Sequence, residues 1–335
     1  MRAALEVFFN DMWYHGRYRF VMVLLYPFSL LYRAIVYLRR SAYALGLLDT
    51  QRLSVPVIVV GNLTVGGTGK TPLVIWIVDF LKKAGYSPCI LSRGYKGMKT
   101  RFPQQVRPDS DPMTVGDEAI LLAEHCQCPV GVSPDRAKSG FALLEHEKCD
   151  VIISDDGLQH YKMERDIEIA VVDGVRRFGN RQMLPAGPLR EPVGRIGLVD
   201  MVVANGISDR HEFSMKIVEH NLRSVNDPSR QCEVSDMRGK TVHAVTGIGN
   251  AHRFFYHLKK LGMDVLEHEF PDHHPFTQDD IMFDDDHDVI MTEKDAVKCR
   301  YFSSDPHWYM PIDVELHDAF GIRLLALLKE AKADG

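Results

Sequence analysis

The chain has 335 residues, enough for about two domains with separate cores. An apolar share of 45% and a charged share of 25% belong to a soluble globular protein, and a net charge of −5 argues against a broadly basic nucleic-acid binder. Six cysteines with no metal-type C-x-x-C pair fit a reduced, cytosolic chain rather than a disulfide framework.

The charge is uneven along the chain. Within residues 1–40, Arg2, Arg17, Arg19, Arg33, Arg39 and Arg40 stand against Glu6 and Asp11, a local net of +4 that leaves −9 for the remainder. Phe20 to Leu38 reads FVMVLLYPFSLLYRAIVYL, apolar nearly all round. The apolar stretch comes late and no small-residue cleavage site follows, which argues against a signal peptide. The run is barely long enough to span a bilayer, and Pro27 and Arg33 inside it disfavour a span. Flanking arginines and scattered tyrosines suit a helix lying among lipid headgroups, the reading preferred here over a core helix capping the sheet.

From Leu53 the pattern becomes strand, turn, helix, repeated. Strands are expected at Pro56–Val60, Ser87–Leu91, Asp150–Ser154, Glu168–Val172 and Met201–Ala204. Helices are expected at about Thr71–Lys83, Asp117–Cys126 and Ala137–Lys148. Apolar strands alternating with helices indicate a mostly parallel α/β sheet with helices on both faces. Polar sequence around Ser208–Arg238 marks a boundary. Beyond it, strands at Lys240–Thr246, Val265–Phe270 and Asp288–Met291, and helices at about Ala251–Leu261 and Ala319–Ala333, form a smaller α/β lobe. The expected division is 1–50 membrane-associated helical segment, 51–227 P-loop core, 228–335 C-terminal lobe, its last helix free to pack back on the core.

The segment VIVVGNLTVGGTGKTPLV, Val57 to Val74, carries the first chemical signal. A Walker loop is written G-x-x-x-x-G-K-[ST], and Thr64 occupies the place of its first glycine. The mechanism needs a backbone free to curl around phosphate, a lysine, and a hydroxyl for Mg²⁺. Gly66, Gly67 and Gly69 give the freedom, Lys70 the charge and Thr71 the hydroxyl, and Gly61 and Asn62 open the loop early. The segment therefore reads as a nucleotide site. Val65 stands where partitioning ATPases carry a second lysine, so a nucleotide-sandwich dimer is not expected.

Asp155 and Asp156 end an apolar strand in the manner of a Walker-B element, and are the expected metal-side acids. Gln159 and His160 follow and can orient phosphate or hydroxyl groups. Arg93 and Arg136, each after a strand-like stretch, can neutralise a transferring phosphate. A kinase also needs a base for the acceptor hydroxyl. Asp117 in VGDE and His273 in FPDHH are the candidates, and spacing alone does not choose between base and helix cap or surface residue.

Taken together, VGNLTVGGTGKTP (60–72), LSRGYKG (91–97), VGDEA (115–119), SPDR (133–136), SDDGLQH (154–160), LPAGPLREP (184–192), TGIGN (246–250), FPDHHPFT (270–277) and TEKDAVK (292–298) resemble the tetraacyldisaccharide 4′-kinases, the lipid A 4′-kinases of Gram-negative bacteria. The resemblance runs nearly end to end. It implies Mg²⁺-dependent transfer of the γ-phosphate of ATP to the 4′-hydroxyl of tetraacyldisaccharide 1-phosphate, by a monomer at the cytoplasmic face of the inner membrane. It implies catalytic roles for Asp117, His273, Lys70 and Arg136, with His274 a neighbouring alternative to His273. Nucleotide contacts fall on Asn62, Thr64, Val65, Gly66, Gly67, Thr68, Gly69, Lys70, Thr71, Tyr95, Gln159 and His160, and metal contacts on Thr71, Asp155, Asp156 and Glu191. Two rivals are a P-loop GTPase or ATPase switch at the membrane, suggested by the guanine-reading look of Thr292-Glu293-Lys294-Asp295, and a non-catalytic membrane adaptor.

Overall fold

The structure is a computed structural model that describes residues 2–94, 103–218, 220–303 and 307–333. Strand Val57–Gly61 runs through its centre, buried at every position. Val151–Asp155 lies parallel on one side of it and Ile167–Asp173 on the other. Such strands, covered on both faces, carry continuous apolar runs rather than alternation. The full order across this nine-stranded sheet is Asp313–Leu316, Phe213–Val218, Met201–Asn205, Ile167–Asp173, Val57–Gly61, Val151–Asp155, Pro88–Ser92, Val130–Val132, Gln104–Val106. The outermost pairings are antiparallel and the others parallel. Chain order reverses beside the central strand, which opens a crevice at the strands' carboxyl ends.

Helix Lys70–Lys83 leaves the central strand through the glycine loop and buries Leu73, Val74, Ile77, Val78 and Leu81 on one stripe. Each such side chain contributes about 1.5–3 kcal/mol of burial. Helices Asp117–Cys126 and Asp318–Ala333 share that face of the sheet. Helix Arg136–His146 covers the other face, where Tyr32 and Val36 of the N-terminal region also pack.

The smaller lobe is a second sheet ordered Gln231–Cys232, Leu222–Ser224, His307–Met310, Asp288–Thr292, Thr241–Thr246, Asp264–Glu269, with helix Ala251–Lys260 against it. The chain enters this sheet at Leu222, ahead of the division expected at 227/228, and leaves it before Asp313 to rejoin the large sheet. The last helix packs on the core, where Phe320 meets Trp76 and Phe213 edge-on at 5.5 and 5.3 Å between ring centroids. The lobes also meet where helix Glu293–Cys299 lies against helix Asp117–Cys126. His125 Nε2 stands 2.8 Å from Glu293 Oε1, and Arg300 Nη1 donates to Glu124 Oε1 at 2.6 Å.

The N-terminal region is two helices, Arg2–Tyr14 and Arg19–Ala44, the second continuous through Pro27. It is not a buried core helix. Phe20, Val23, Phe28, Leu31, Ile35, Tyr37 and Leu38 are exposed, and by length and composition the helix could cross a membrane. One stripe of it is seated on the segment around residues 180–193. Ser29 Oγ accepts from the Ala186 amide at 2.9 Å, Tyr32 Oη donates to the Arg190 carbonyl at 3.3 Å, and Asn180 Nδ2 reaches Met22 Sδ. The six cysteines are free thiols.

Phe320 is fully buried at the seam where the chain's end closes the large sheet. Phe320→Ala should destabilise the protein by about 3–5 kcal/mol, read as a fall in denaturant midpoint.

Candidate active site

The glycine loop is shaped by contacts on both flanks. On one side the Val65 amide donates to the Pro188 carbonyl at 2.9 Å, and the Arg190 amide to the Leu63 carbonyl at 2.6 Å. Thr64 forms an antiparallel bridge with Leu189, so its backbone is extended and a side chain is allowed where the Walker pattern has glycine. The left-handed positions fall instead on Gly66, at φ 99°, and Gly69, at φ 95°. A Cβ on Gly69 would stand 2.5 Å from Asn205 Nδ2, so glycine is required there by both conformation and space.

Lys70 opens the helix and points back over the loop. Its ammonium donates to Asn62 Oδ1 at 3.3 Å and stands 3.4 Å from Asp156 Oδ1. Asn62 Nδ2 in turn reaches the Gly66 carbonyl, and Gln159 Nε2 donates to the Asn62 carbonyl at 3.1 Å. Arg190 Nη1 contacts both Asp156 oxygens at 3.1 and 3.0 Å. Burial alone would raise the Asp156 pKa, but Lys70, Arg190 and Arg136 together hold it well below the usual carboxylate range.

Asp155 behaves in the opposite way. It is buried at the strand end and its Oδ1 has no hydrogen-bond partner among the described residues. Burial, reinforced by the Glu118 charge, pushes its pKa up to about 7 against the pull of Lys70. Arg136 lies beneath the pair, its Nη2 donating to the carbonyls of Asp155 and Asp156 at 2.7 and 3.0 Å. Its Nη2 is thus committed to the strand end, while its Nε is buried without a partner among the described residues. His160 is pushed down to about 4, first by burial and then by the Arg136 charge, and its Nε2 is buried without a partner among the described residues.

Glu191 turns away from its neighbour Arg190. Arg195 Nε stands 3.3 Å from Glu191 Oε2, and the Tyr161 hydroxyl faces the same carboxylate. Among the described residues no three His, Cys, Asp or Glu side chains converge as a preformed metal cage. Mg²⁺ does not require one, since it keeps waters and takes one or two carboxylates together with phosphate oxygens. The orphaned oxygen of Asp155, close to Asp156, fits that chemistry.

The second cluster is made between lobes. Asp117 starts helix Asp117–Cys126, buried, and His273 Nδ1 from the smaller lobe stands 3.0 Å from each of its oxygens. His273 has φ 58°, a left-handed position, and its amide donates to the Gly247 carbonyl at 2.9 Å. Burial would raise the Asp117 pKa, yet the His273 hydrogen bond and the charges of Lys294 and Lys298 hold it far below the ordinary value. His274 faces Asp280 at 3.1 Å, so the structure brings His273, not His274, to Asp117.

Glu118 joins the two clusters. Its pKa is lowered because Lys294 and Lys70 outweigh burial and the Asp117 charge. Asp295 is fully buried, its Oδ2 accepting from Thr246 Oγ1, the Gly247 amide and Thr292 Oγ1 at 3.0, 3.0 and 2.6 Å.

Several residues of the site escaped the sequence reading. Arg190 was one position from the expected Glu191. Asn205 ends an apolar strand just as Asp155 does; its Nδ2 donates to the Thr68 carbonyl at 3.1 Å while its Oδ1 accepts from Arg253 of the smaller lobe at 2.8 Å. Gly249 reaches the loop as well, since a Cβ there would stand 3.6 Å from the Gly67 amide nitrogen. Tyr95 lies outside the described residues.

The sequence profile of one family, LpxK: Tetraacyldisaccharide-1-P 4′-kinase, matches residues 21–329. A tetraacyldisaccharide 4′-kinase of Nitrosococcus oceani is 52% identical over 92% of this chain and 91% of its own. The protein of that description from Coxiella burnetii is 44% identical over 96% and 98%. The crystal structure of LpxK from Aquifex aeolicus in complex with ATP superposes with a TM-score of 0.74, at 29% identity, covering 92% of this chain and 99% of that one. With a lysine-bearing phosphate loop, a pair of strand-end acids and an Asp–His pair assembled between lobes, the chain belongs to the tetraacyldisaccharide-1-P 4′-kinase family.

Proposed function

We propose that this protein transfers the γ-phosphate of ATP to the 4′-hydroxyl of tetraacyldisaccharide 1-phosphate. The observation that carries the reading is spatial continuity: the smaller lobe sets His273 against Asp117 at 3.0 Å and also brings Gly249 to the Gly67 amide of the phosphate loop. A nucleotide tail on the loop and a hydroxyl on Asp117 would then meet in one cleft. Such transfer is mainly positioning and charge neutralisation.

The roles divide as follows. The amides from Gly66 to Gly69 and the start of helix Lys70–Lys83 cradle phosphate, and Lys70 neutralises the oxygens that gain charge. Asn62 and Gln159 hold the mouth of the loop. Thr71, Asp155 and Asp156 would hold Mg²⁺, which supplies charge neutralisation on the phosphates; the resemblance adds Glu191, whose partner here is Arg195. Arg136 fixes the carbonyls behind the two acids. Asp117, kept ionised by its surroundings, takes the acceptor proton, and His273 aims it.

A tetraacylated lipid is not presented by water, so its kinase meets it at a bilayer. The exposed apolar face of helix Arg19–Ala44, with Arg33, Arg39 and Arg40, supports peripheral attachment to the anionic cytoplasmic leaflet of the inner membrane. One chain contributes both sides of the cleft, which supports action as a monomer. The switch reading loses ground because Asp295 is walled off from any base.

Three outcomes are expected. With γ-labelled ATP and tetraacyldisaccharide 1-phosphate in detergent, Asp117→Ala and Lys70→Ala should each lose about 100- to 10,000-fold in label transfer while remaining folded; near-normal transfer by either would contradict the assignment. On cell fractionation the protein should stay with membranes through a high-salt wash and leave in detergent. The folded chain holds a proton on Asp155 that the unfolded chain releases between the ordinary carboxylate range and about pH 7, so ionising it costs stability as pH rises through that window. Asp156 and Asp117 are already ionised there in both states. Comparing melting curves of the wild type and Asp155→Asn from about pH 5 to 7.5 should therefore show the wild type losing more stability with pH.

A further inference from the structure

We propose that Lys294 is a positioning residue that sets the protonation of His273: its ammonium donates to Nε2, so the ring is neutral and presents its one proton from Nδ1 to Asp117. This rests on the reading of Asp117 as the acceptor's base.

The geometry leaves little freedom. An ammonium has three donors and no lone pair. That of Lys294 donates to Glu118 Oε1 at 3.0 Å, faces His273 Nε2 at 3.3 Å and stands 3.6 Å from Asp272 Oδ1. A ring nitrogen facing a donor-only group can only accept. The proton of a neutral ring is then on Nδ1, the nitrogen that both Asp117 oxygens face at 3.0 Å. Burial alone would strip the charge from Lys294, but Glu118, Asp117 and Asp272 hold its pKa far above the ordinary value, so it is charged throughout the working range.

Among the described residues, charged groups facing the ring come from three places. Helix Asp117–Cys126 supplies Asp117 and Glu118. Helix Glu293–Cys299 supplies Lys294 and Lys298, the latter 3.8 Å from Asp117 Oδ2 and 2.8 Å from Asp295 Oδ1. The loop of His273 itself supplies Asp272, whose Oδ2 is 3.6 Å from Nε2, and His274, which is turned to Asp280. Asp117 and Asp272 favour an imidazolium and Lys294 opposes it. At Nε2, where the second proton of an imidazolium would sit, the nearer contact belongs to the lysine.

The placement is also rigidly shared. Asp295, next to Lys294 on the same helix, accepts from the Gly247 amide, and the Gly247 carbonyl accepts from the His273 amide. Lysine and imidazole thus hang from one hydrogen-bonded frame. Without the cation, an imidazolium beside Asp117 would form at higher pH and weaken the carboxylate as a base.

The test uses the full-length protein in detergent with ¹⁵N-labelled histidine, His273 being assigned from a His273→Asn difference spectrum. In the wild type the ring should show the neutral Nδ1–H pattern near neutral pH. Lys294→Met should raise the His273 titration midpoint by about one pH unit or more. The acid limb of kcat should move with it, and His273→Asn in the Lys294→Met background should cancel that displacement. Lys294→Arg, which keeps the charge, should restore the wild-type midpoint. Should Lys294→Met not fold, Lys294→Gln, which also removes the charge, should raise the midpoint in the same direction. An Nε2–H ring in the wild type, or a Lys294 variant that loses turnover with the His273 midpoint unmoved, overturns the proposal. The spectra need no substrate, whereas wild-type label transfer tests the kinase reading separately.

Discussion

The contact on which the site depends is the one between Asp117 and His273, because its two halves belong to different lobes. Asp117 rides on a helix of the large sheet, and His273 sits in a left-handed bend of the smaller lobe. A buried carboxylate is costly unless it is paired and hydrogen-bonded. Burying Asp117 therefore requires the smaller lobe to be seated. The neighbouring pairs, His125 with Glu293 and Arg300 with Glu124, fix the same two helices together. Separating the lobes would leave several desolvated charges unmatched at once, which ties the integrity of the base to the closure of the cleft.

Within that frame, charge is sorted over very short stretches of chain. Asp155 and Asp156 are adjacent, yet one is pushed up to about 7 and the other is held far down. The left-handed backbone of Asp156, at φ 48°, turns its side chain to Lys70 and Arg190, while Asp155 remains in the strand and points into the protein. A cation arriving with nucleotide would change the balance at Asp155 most, since that carboxylate alone of the two has an oxygen without a partner.

The central strands and their helices were legible because burial on both faces writes itself as unbroken apolar runs. Val57–Gly61, Val151–Asp155 and Ile167–Asp173 were each found to within a residue or two. The edges were not. The edge strands Asp313–Leu316 and Gln104–Val106 are only four and three residues long, and Phe213–Val218, beside the first, carries Ser214 and Lys216 in a stretch that reads as polar linker. Edge strands are defined by a partner's hydrogen bonds rather than by composition, and no partner is visible in a local window. The site divides in the same way. The loop, the paired acids and Asp117 follow from motif and strand end. The choice of His273 over His274, and the parts played by Arg190, Asn205 and Lys294, depend on which residues distant in sequence come within 3–4 Å.

Asn205 shows how much such a residue constrains through its protein contacts alone. Its amide has a direction, with nitrogen toward the loop carbonyl of Thr68 and oxygen toward Arg253. Aspartate is almost the same shape, but it would set oxygen against oxygen at the loop and bring a negative charge beneath the phosphate cradle. Leucine would fill the space and leave both neighbours unbonded. A position one layer removed from chemistry is thereby restricted to a single side chain, because it must give on one side and receive on the other.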